Sequence, residues 1–326
     1  MVMAQSLFRV LKAQSPAAEI DVLAPAWSLP LLERMPEVRN GVVMPLGHGR
    51  LGLGERYQLA KSLRDEQYDR AILLPNSLKS ALIPWWAKIP QRTGFRGEMR
   101  YGLLSDLRIL DKVALTMTVQ RFVALGLDRD APLPDPIPPP RFSVDPGEVR
   151  LALTAVGLSP PNKRLLALCP GAEYGPAKQW PADYFATVAR KKMAQGWTVW
   201  LFGSEKDEVI CQSVVDAVAT EEGTIENLAG KTSLAEAVDL MSLATVVVGN
   251  DSGLMHVAAA LGRDLVAIYG SSDPGFTPPL HPRAQILDHH LACSPCFKRV
   301  CPLEHTDCLT KLMPAEVLQA IDIFEK

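Results

Sequence analysis

Beyond residue 160, short apolar or β-branched runs alternate with longer stretches whose apolar residues recur every three or four positions. A run of about five apolar residues has strand length, whereas the three- and four-residue spacing puts apolar side chains on one helix face. The pattern predicts strands over 165–169, 198–202, 245–249 and 265–269. It predicts helices over 181–195, 205–219, 234–243 and 252–261. Regular alternation of this kind builds βαβ units around a parallel sheet, a doubly wound domain.

The first half repeats the pattern less cleanly, with strands expected over 19–24, 41–44 and 69–74 and helices over 55–64 and 77–87. Between the halves runs Ala131-Pro132-Leu133-Pro134-Asp135-Pro136-Ile137-Pro138-Pro139-Pro140, whose prolines forbid helix and inner strand. It reads as an interdomain linker, dividing the chain at 1–140 and 141–326; a long surface loop inside one domain is the alternative. The last helix, over 314–326, is expected to return to the first domain.

Composition narrows the classes. With 326 residues, 48% hydrophobic and 21% charged, the chain is long enough for two ordinary α/β domains. A net charge of -2 gives no global attraction to polyanions, so no nucleic-acid partner is expected. No apolar run approaches the roughly 18 residues of a membrane span. Met1-Val2-Met3-Ala4-Gln5-Ser6 lacks the basic then apolar pattern of a secretory signal. A cytoplasmic setting follows as the expectation, and with it six cysteines that do not form structural disulfides.

The sharpest chemical signal is Asn250-Asp251-Ser252-Gly253-Leu254-Met255-His256, which leaves an apolar strand and opens a small-residue helix. Asp251 and Ser252 suit an N-cap, Gly253 allows close backbone approach, and the helix-start amides with the positive dipole end suit a diphosphate. A second strand exit, Cys169-Pro170-Gly171 through Lys178-Gln179-Trp180-Pro181, places Lys178 before another helix. A third is Phe202-Gly203-Ser204-Glu205-Lys206-Asp207, which resembles a nucleoside-binding turn; the resemblance implies that one of its carboxylates accepts from ribose hydroxyls, Glu205 before Asp207. All three lie at carboxyl ends of strands, where open α/β sheets bind ligands.

The 251–256 hexapeptide, with Leu265-Val266-Ala267-Ile268-Tyr269-Gly270 after it and the lysine before Trp-Pro, resembles the donor-site signature of glycosyltransferase family 9, the heptosyltransferases. The resemblance implies a GT-B-like α/β fold, two doubly wound Rossmann-like domains facing across a cleft. It implies an ADP-heptose donor held by Gly171, Lys178, Gly203, Ser204, Glu205, Asn250, Asp251, Ser252, Gly253, Met255 and His256, with Lys178 and Asp251 at the chemistry. Transfer would be inverting and metal-independent, with no cofactor, to the first heptose of the lipopolysaccharide inner core on lipid A, in peripheral contact with the cytoplasmic face of the inner membrane. Lys79, Arg92, Arg96 and Arg100 are a basic cluster that could hold such an acceptor's anionic groups, or ordinary surface charges.

The family's general base is an aspartate in a Gly-Asp loop after a first strand, ahead of a helix like Ala4 to Lys12 here. That strand and loop are therefore expected upstream of Met1. A nucleotide-sugar epimerase of the same fold, and an inactive remnant that binds ADP-sugar, are the competing readings. Cys293-x2-Cys296-x4-Cys301-x6-Cys308, with His305 inside it, offers ligand types for a structural zinc or a redox-sensitive loop, although its spacing is not a standard paired knuckle.

Overall fold

A computed structural model of the chain describes residues 1–47, 49–218 and 223–325. The chain forms two compact units, which divide inside the proline-rich stretch at Pro138 and Pro139.

The second unit runs α6 (Pro146–Ala155), β6 (Leu165–Cys169), α7 (Ala182–Ala194), β7 (Thr198–Leu201), α8 (Glu208–Val218) and β8 (Thr224–Asn227). It continues with α9 (Leu234–Met241), β9 (Val246–Asn250), α10 (Gly253–Ala260), β10 (Asp264–Ile268), β11 (Ala284–Leu287), α11 (Asp307–Thr310) and α12 (Pro314–Asp322). Six parallel strands stand in the order β11-β10-β9-β6-β7-β8, so the direction of winding reverses between β6 and β9. Every residue of β6, β7 and β9 is buried, because helices cover both faces; that is why these strands read as continuous apolar runs rather than alternating ones. All four strands and four helices expected here are present, with ends shifted by a few residues. The expected helix end at Ala219 lies outside the described residues.

The final helix corrects an expectation. Rather than returning to the first domain, α12 packs in the second unit, where Val317, Ala320 and Ile321 join the core of Trp180, Phe185 and Val188. Polar contacts fix it there. The fully buried Lys192 of α7 donates to Asp322 Oδ1 (2.8 Å) and Glu325 Oε1 (2.6 Å). Its ammonium also lies 5.3 Å from the Trp197 ring centroid.

The first unit contains α1 (Gln5–Gln14), β1 (Asp21–Pro25), α2 (Leu29–Leu32), β2 (Asn40–Met44), α3 (Leu53–Leu63) and β3 (Arg70–Leu73). After these come α4 (Leu78–Trp86), β4 (Gln91–Phe95), β5 (Asp106–Arg108) and α5 (Thr118–Gly126). Its strands form two separate parallel sheets, β1-β2 and β3-β4-β5, so β1 and β3 each pair on one side only. The strands β4 and β5 were not expected from the pattern. Their polar and charged residues, among them Gln91, Arg92, Asp106 and Arg108, mask the apolar run that marks a buried strand.

Replacing Asp322→Asn together with Glu325→Gln leaves a buried ammonium without an opposite charge. The double variant should lose about 2–3 kcal/mol in urea unfolding, less than the ~3–5 of a fully buried pair because Asp322 keeps much of its surface in water. Adding Lys192→Met should restore most of that loss.

Candidate active site

The reversal between β6 and β9 brings three strand exits to the same end of the second sheet, the position where open α/β sheets hold ligands. After β6, the chain crosses a loop, makes a short 3₁₀ turn over Pro176–Lys178, and is anchored by Trp180 before α7. The Trp180 side chain is fully buried, donates from Nε1 to Leu312 O (2.8 Å) and stacks edge-on against Phe185. Asn250, at the end of β9, locks this loop: its Nδ2 donates to Pro170 O (2.7 Å) and its Oδ1 accepts from Trp180 N–H (3.1 Å).

The clamp sets Lys178 against Asp251. Lys178 Nζ lies 2.5 Å from Asp251 Oδ2, with the lysine side chain 17% exposed and the aspartate 6%. The same ammonium sits 5.2 Å from the Tyr174 ring, and Arg299 stacks on that ring at 5.2 Å. Asp251 is itself fixed, donating its backbone N–H to Ile268 O (3.0 Å) at the end of β10.

Helix α10 begins immediately after. Ser252 occupies its N-cap position with extended backbone, but its hydroxyl makes no capping bond, contrary to expectation. The first N–H groups of a helix have no partner within it, so those of α10 remain directed at whatever enters there. A Cβ on Gly253 would meet nothing within 4 Å, which leaves room at that point. His256, one turn along, is held neutral: burial pushes its imidazole down to about 4, against the opposing pull of Asp251 and with a smaller push from Lys178.

Not every expected donor residue faces this space. Asn250 is fully buried with its amide committed to Pro170 and Trp180, so it positions the loop instead of meeting a ligand. Met255 is fully buried, with its sulfur 3.5 Å from Tyr269 Oη, so it belongs to the core. At the exit of β7, Asp207 accepts from Ser204 N–H (2.9 Å) and Ser204 Oγ–H (2.8 Å), which closes the turn. A side chain on Gly171 would collide with Asp207, so that glycine serves the close approach of the two loops, and one on Gly203 would collide with Asp207 inside the same turn, which that glycine keeps tight. Ser204 and Glu205 are exposed, and with Asp207 committed to the turn, Glu205 is the available carboxylate.

In the first unit the basic cluster divides. Arg100 is fully buried and donates to Pro75 O (2.8 Å), Asn76 Oδ1 (3.1 Å) and Phe95 O (3.2 Å). Burial holds its guanidinium below the usual arginine range. Arg92 donates to Leu103 O (2.6 Å) and Pro90 O (3.2 Å). Both are struts for the backbone around β4, which corrects their assignment to an acceptor. Arg96 is exposed, and Lys79 is half-buried with its ammonium 3.5 Å from Arg50 O.

The family model for glycosyltransferase family 9 (heptosyltransferase) matches residues 56–307. The chain belongs to that family. It is 52% identical over 293 residues to lipopolysaccharide heptosyltransferase 2 of Salmonella typhimurium, covering 88% of this chain and 84% of that protein. It is 50% identical over 294 residues to lipooligosaccharide heptosyltransferase 2 of Haemophilus influenzae, with the same shares covered. The solved structure of the E. coli ADP-heptose lps heptosyltransferase II superposes with a TM-score of 0.88 at 44% identity, over 99% of this chain and 94% of that one. A family 9 transferase from Veillonella parvula shares the fold at 19% identity and a TM-score of 0.79. The two α/β units with parallel sheets are thus the architecture of GT-B-like heptosyltransferases.

Within this heptosyltransferase scaffold, sequence reasoning missed two hydroxyls. Ser271 and Ser272 follow β10 at the same end of the sheet, are buried, and have Oγ atoms without a hydrogen-bond partner among the described residues. Buried unpaired hydroxyls are costly, so they mark a place where a ligand or water completes the structure. Two small polar residues directly after an apolar strand were the available signal.

The neutral imidazole gives a pH prediction. The unfolded chain takes up this proton near 6.5 and the folded one near 4, so the stability present above about 6.5 is lost as pH falls toward about 4. An NMR titration should find the His256 midpoint well below 6.5, and His256→Asn should remove that part of the acid slope in thermal melting. A midpoint at or above 6.5 contradicts the assignment.

Proposed function

We propose that this chain transfers L-glycero-D-manno-heptose from ADP-heptose to the first heptose of a lipopolysaccharide inner core, inverting the anomeric centre and needing no metal at the diphosphate. The observation that carries the reading is Lys178, fixed by Asp251 where α10 presents its free N–H groups. The name of the E. coli relative supports the donor, and the names of the Salmonella and Haemophilus relatives support the acceptor class.

In the reaction, a carboxylate takes the proton of an acceptor hydroxyl, the oxygen attacks the anomeric carbon, and the bond to ADP breaks with the electron pair leaving on the diphosphate. Charge then grows on the phosphate oxygens. Lys178 and the α10 amides are already directed there and need no reorganisation as it appears, which is the most effective form of electrostatic catalysis. They supply what a divalent ion would otherwise supply. Glu205 is placed to accept from ribose hydroxyls. Arg96 and Lys79 are the cations of the first unit left to meet an anionic acceptor. Because that acceptor is held in lipid, peripheral contact with the cytoplasmic face of the inner membrane belongs to the same proposal. No helix among the described residues is long and apolar enough to cross a membrane.

The test is transfer from ADP-heptose to a core acceptor lacking its second heptose, read by mass spectrometry, beside calorimetry with ADP on the same sample. Lys178→Ala should lower kcat by roughly 10²–10³-fold, the usual cost of losing a charge-stabilising donor. Omitting divalent ions should leave the rate unchanged. ADP binding without any heptose transfer would instead support a binding remnant, and epimerised donor without transfer would support an isomerase.

A further inference from the structure

The cysteines of the second unit do not meet the expectation of a zinc site. Cys293, Cys296, Cys301 and Cys308 line one small cavity, but among the described residues no three His, Cys, Asp or Glu side chains are spaced to hold a metal ion. The first unit offers more.

Charge is divided unevenly between the two units. Residues 1–138 carry 18 Lys and Arg against 14 Asp and Glu, whereas 139–326 carry 16 against 22, so a chain of net charge -2 contains a first unit of +4. An asymmetry of this kind suits an anionic partner for the positive half.

The strand exits of that unit adjoin one another. Arg96, directly after β4, donates its N–H to Arg108 O at the end of β5 (2.6 Å), and Glu98 donates its own to Asn76 O in the loop after β3 (3.2 Å). The loop after β2 joins them through Arg56, which donates to Leu51 O (2.6 Å) and Lys79 O (3.4 Å). These loops present Arg50, Arg96 and Lys112 exposed and Lys79 half-buried. The carboxylates among them are held: Glu98 Oε2 accepts from Leu78 N–H (2.7 Å), Asp111 Oδ1 from Val113 and Ala114 N–H (2.8 and 3.0 Å), and Glu55 Oε1 lies 3.4 Å from Arg50.

The same loops expose large apolar side chains. Leu51, Met99, Tyr101, Ile109 and Val113 are 53%, 83%, 65%, 72% and 88% exposed, and among the described residues no large apolar side chain is more exposed than Val113 and Met99. Single exposed apolar residues are ordinary on any surface. Five of them on adjoining loops at one end of a unit, mixed with cations, form a feature that needs a partner. Two are firmly presented: Met99 and Tyr101 flank Arg100, whose buried guanidinium is held by Pro75 O and Asn76 Oδ1.

We propose that this end of the first unit docks on a bilayer with anionic headgroups, Leu51, Met99, Tyr101, Ile109 and Val113 entering the boundary between headgroups and acyl chains while Arg50, Arg96 and Lys112 meet the phosphates. Apolar area combined with cations is the chemistry of interfacial lipid binding. The centre of a protein interface excludes charge, lysine above all. Here Lys112 directly precedes Val113, and Arg96 is bonded to the residue before Ile109. The surface deepens the function proposed above and rests on its lipid-held acceptor: the cations left for that acceptor, Arg96 and Lys79, stand among the loops that enter the lipid, so a saccharide projecting from the same bilayer reaches them without leaving it.

Sedimentation of the full chain with vesicles, no saccharide acceptor present, tests the surface. Binding is expected on phosphatidylglycerol–phosphatidylethanolamine vesicles, weakening as salt is raised, with little on phosphatidylcholine. Ile109→Ser with Val113→Ser should weaken it roughly 10–100-fold at unchanged charge, and Lys112→Gln roughly 5-fold. Val209→Ser, at a valine 81% exposed in the second unit, should leave it unchanged. Thermal melting should match wild type in each variant, since the replaced side chains lie in solvent. The Ile109→Ser, Val113→Ser variant should turn over a delipidated acceptor at the wild-type rate and a vesicle-held acceptor more slowly. Wild-type protein that ignores anionic vesicles, equal binding to neutral ones, or binding kept by that variant would each overturn the surface. Dimerisation through the same residues without vesicle binding would overturn it too, making the surface a contact between copies. Vesicle binding without transfer to any acceptor would instead count against the proposed function and leave the docking surface standing.

Discussion

The geometry of the strand exits in the second unit depends on Asn250. One buried amide joins the exits of β6 and β9 across the reversal in the sheet, donating to Pro170 and accepting from Trp180. Its position follows from the register of two fully buried parallel strands, which pairs Cys169 with Gly249 and so sets the two exits side by side. A buried amide with both ends matched rigidifies its surroundings, whereas a half-matched one destabilises by about 1–3 kcal/mol. Lys178 meets Asp251 because both neighbours of the clamp are fixed.

That order of dependence separates positioning from chemistry in both units. Asn250 and Met255 were expected to hold the donor and Asp207 lies next to residues that were, yet their polar or apolar groups are used up inside the protein. Arg92 and Arg100 play the same part around β4, where their guanidinium groups satisfy carbonyls that a short, polar strand and its loops leave open. An arginine can bridge several carbonyls with one planar group, which a lysine cannot. The groups left facing outward are fewer: Lys178, the α10 amides and Glu205 in the second unit, and Arg96 with Lys79 in the first.

Much of the second unit was legible because burial on both faces makes its strands continuous apolar runs, and because helix starts advertise themselves through residues such as Asp251 and Pro181. The first unit was less legible. Its β4 and β5 carry arginines and aspartates at positions that the hydrophobic pattern reads as loop, and the arginines that looked like a binding surface were the means of burying those strands. That three strand exits gather at one end of the sheet was readable from the pattern, but the direction of each side chain was not. Asn250 and Asp251 are adjacent, and in an extended chain adjacent side chains point to opposite sides; one became a clamp and the other a partner for Lys178.

The charge arrangement explains why the pair is useful before any ligand arrives. An ammonium left alone in a half-buried loop would sample many rotamers and lose orientation each time a diphosphate bound. Asp251 removes that freedom in advance, since its backbone N–H is tied to Ile268 O and its buried carboxylate holds the lysine. His256, kept neutral by burial, adds no second cation that would compete for Asp251. The carboxylate weakens the net positive field but fixes its source. For a reaction whose charge develops on the leaving diphosphate, a fixed source is the larger advantage, because the energy of ordering it has already been met by folding.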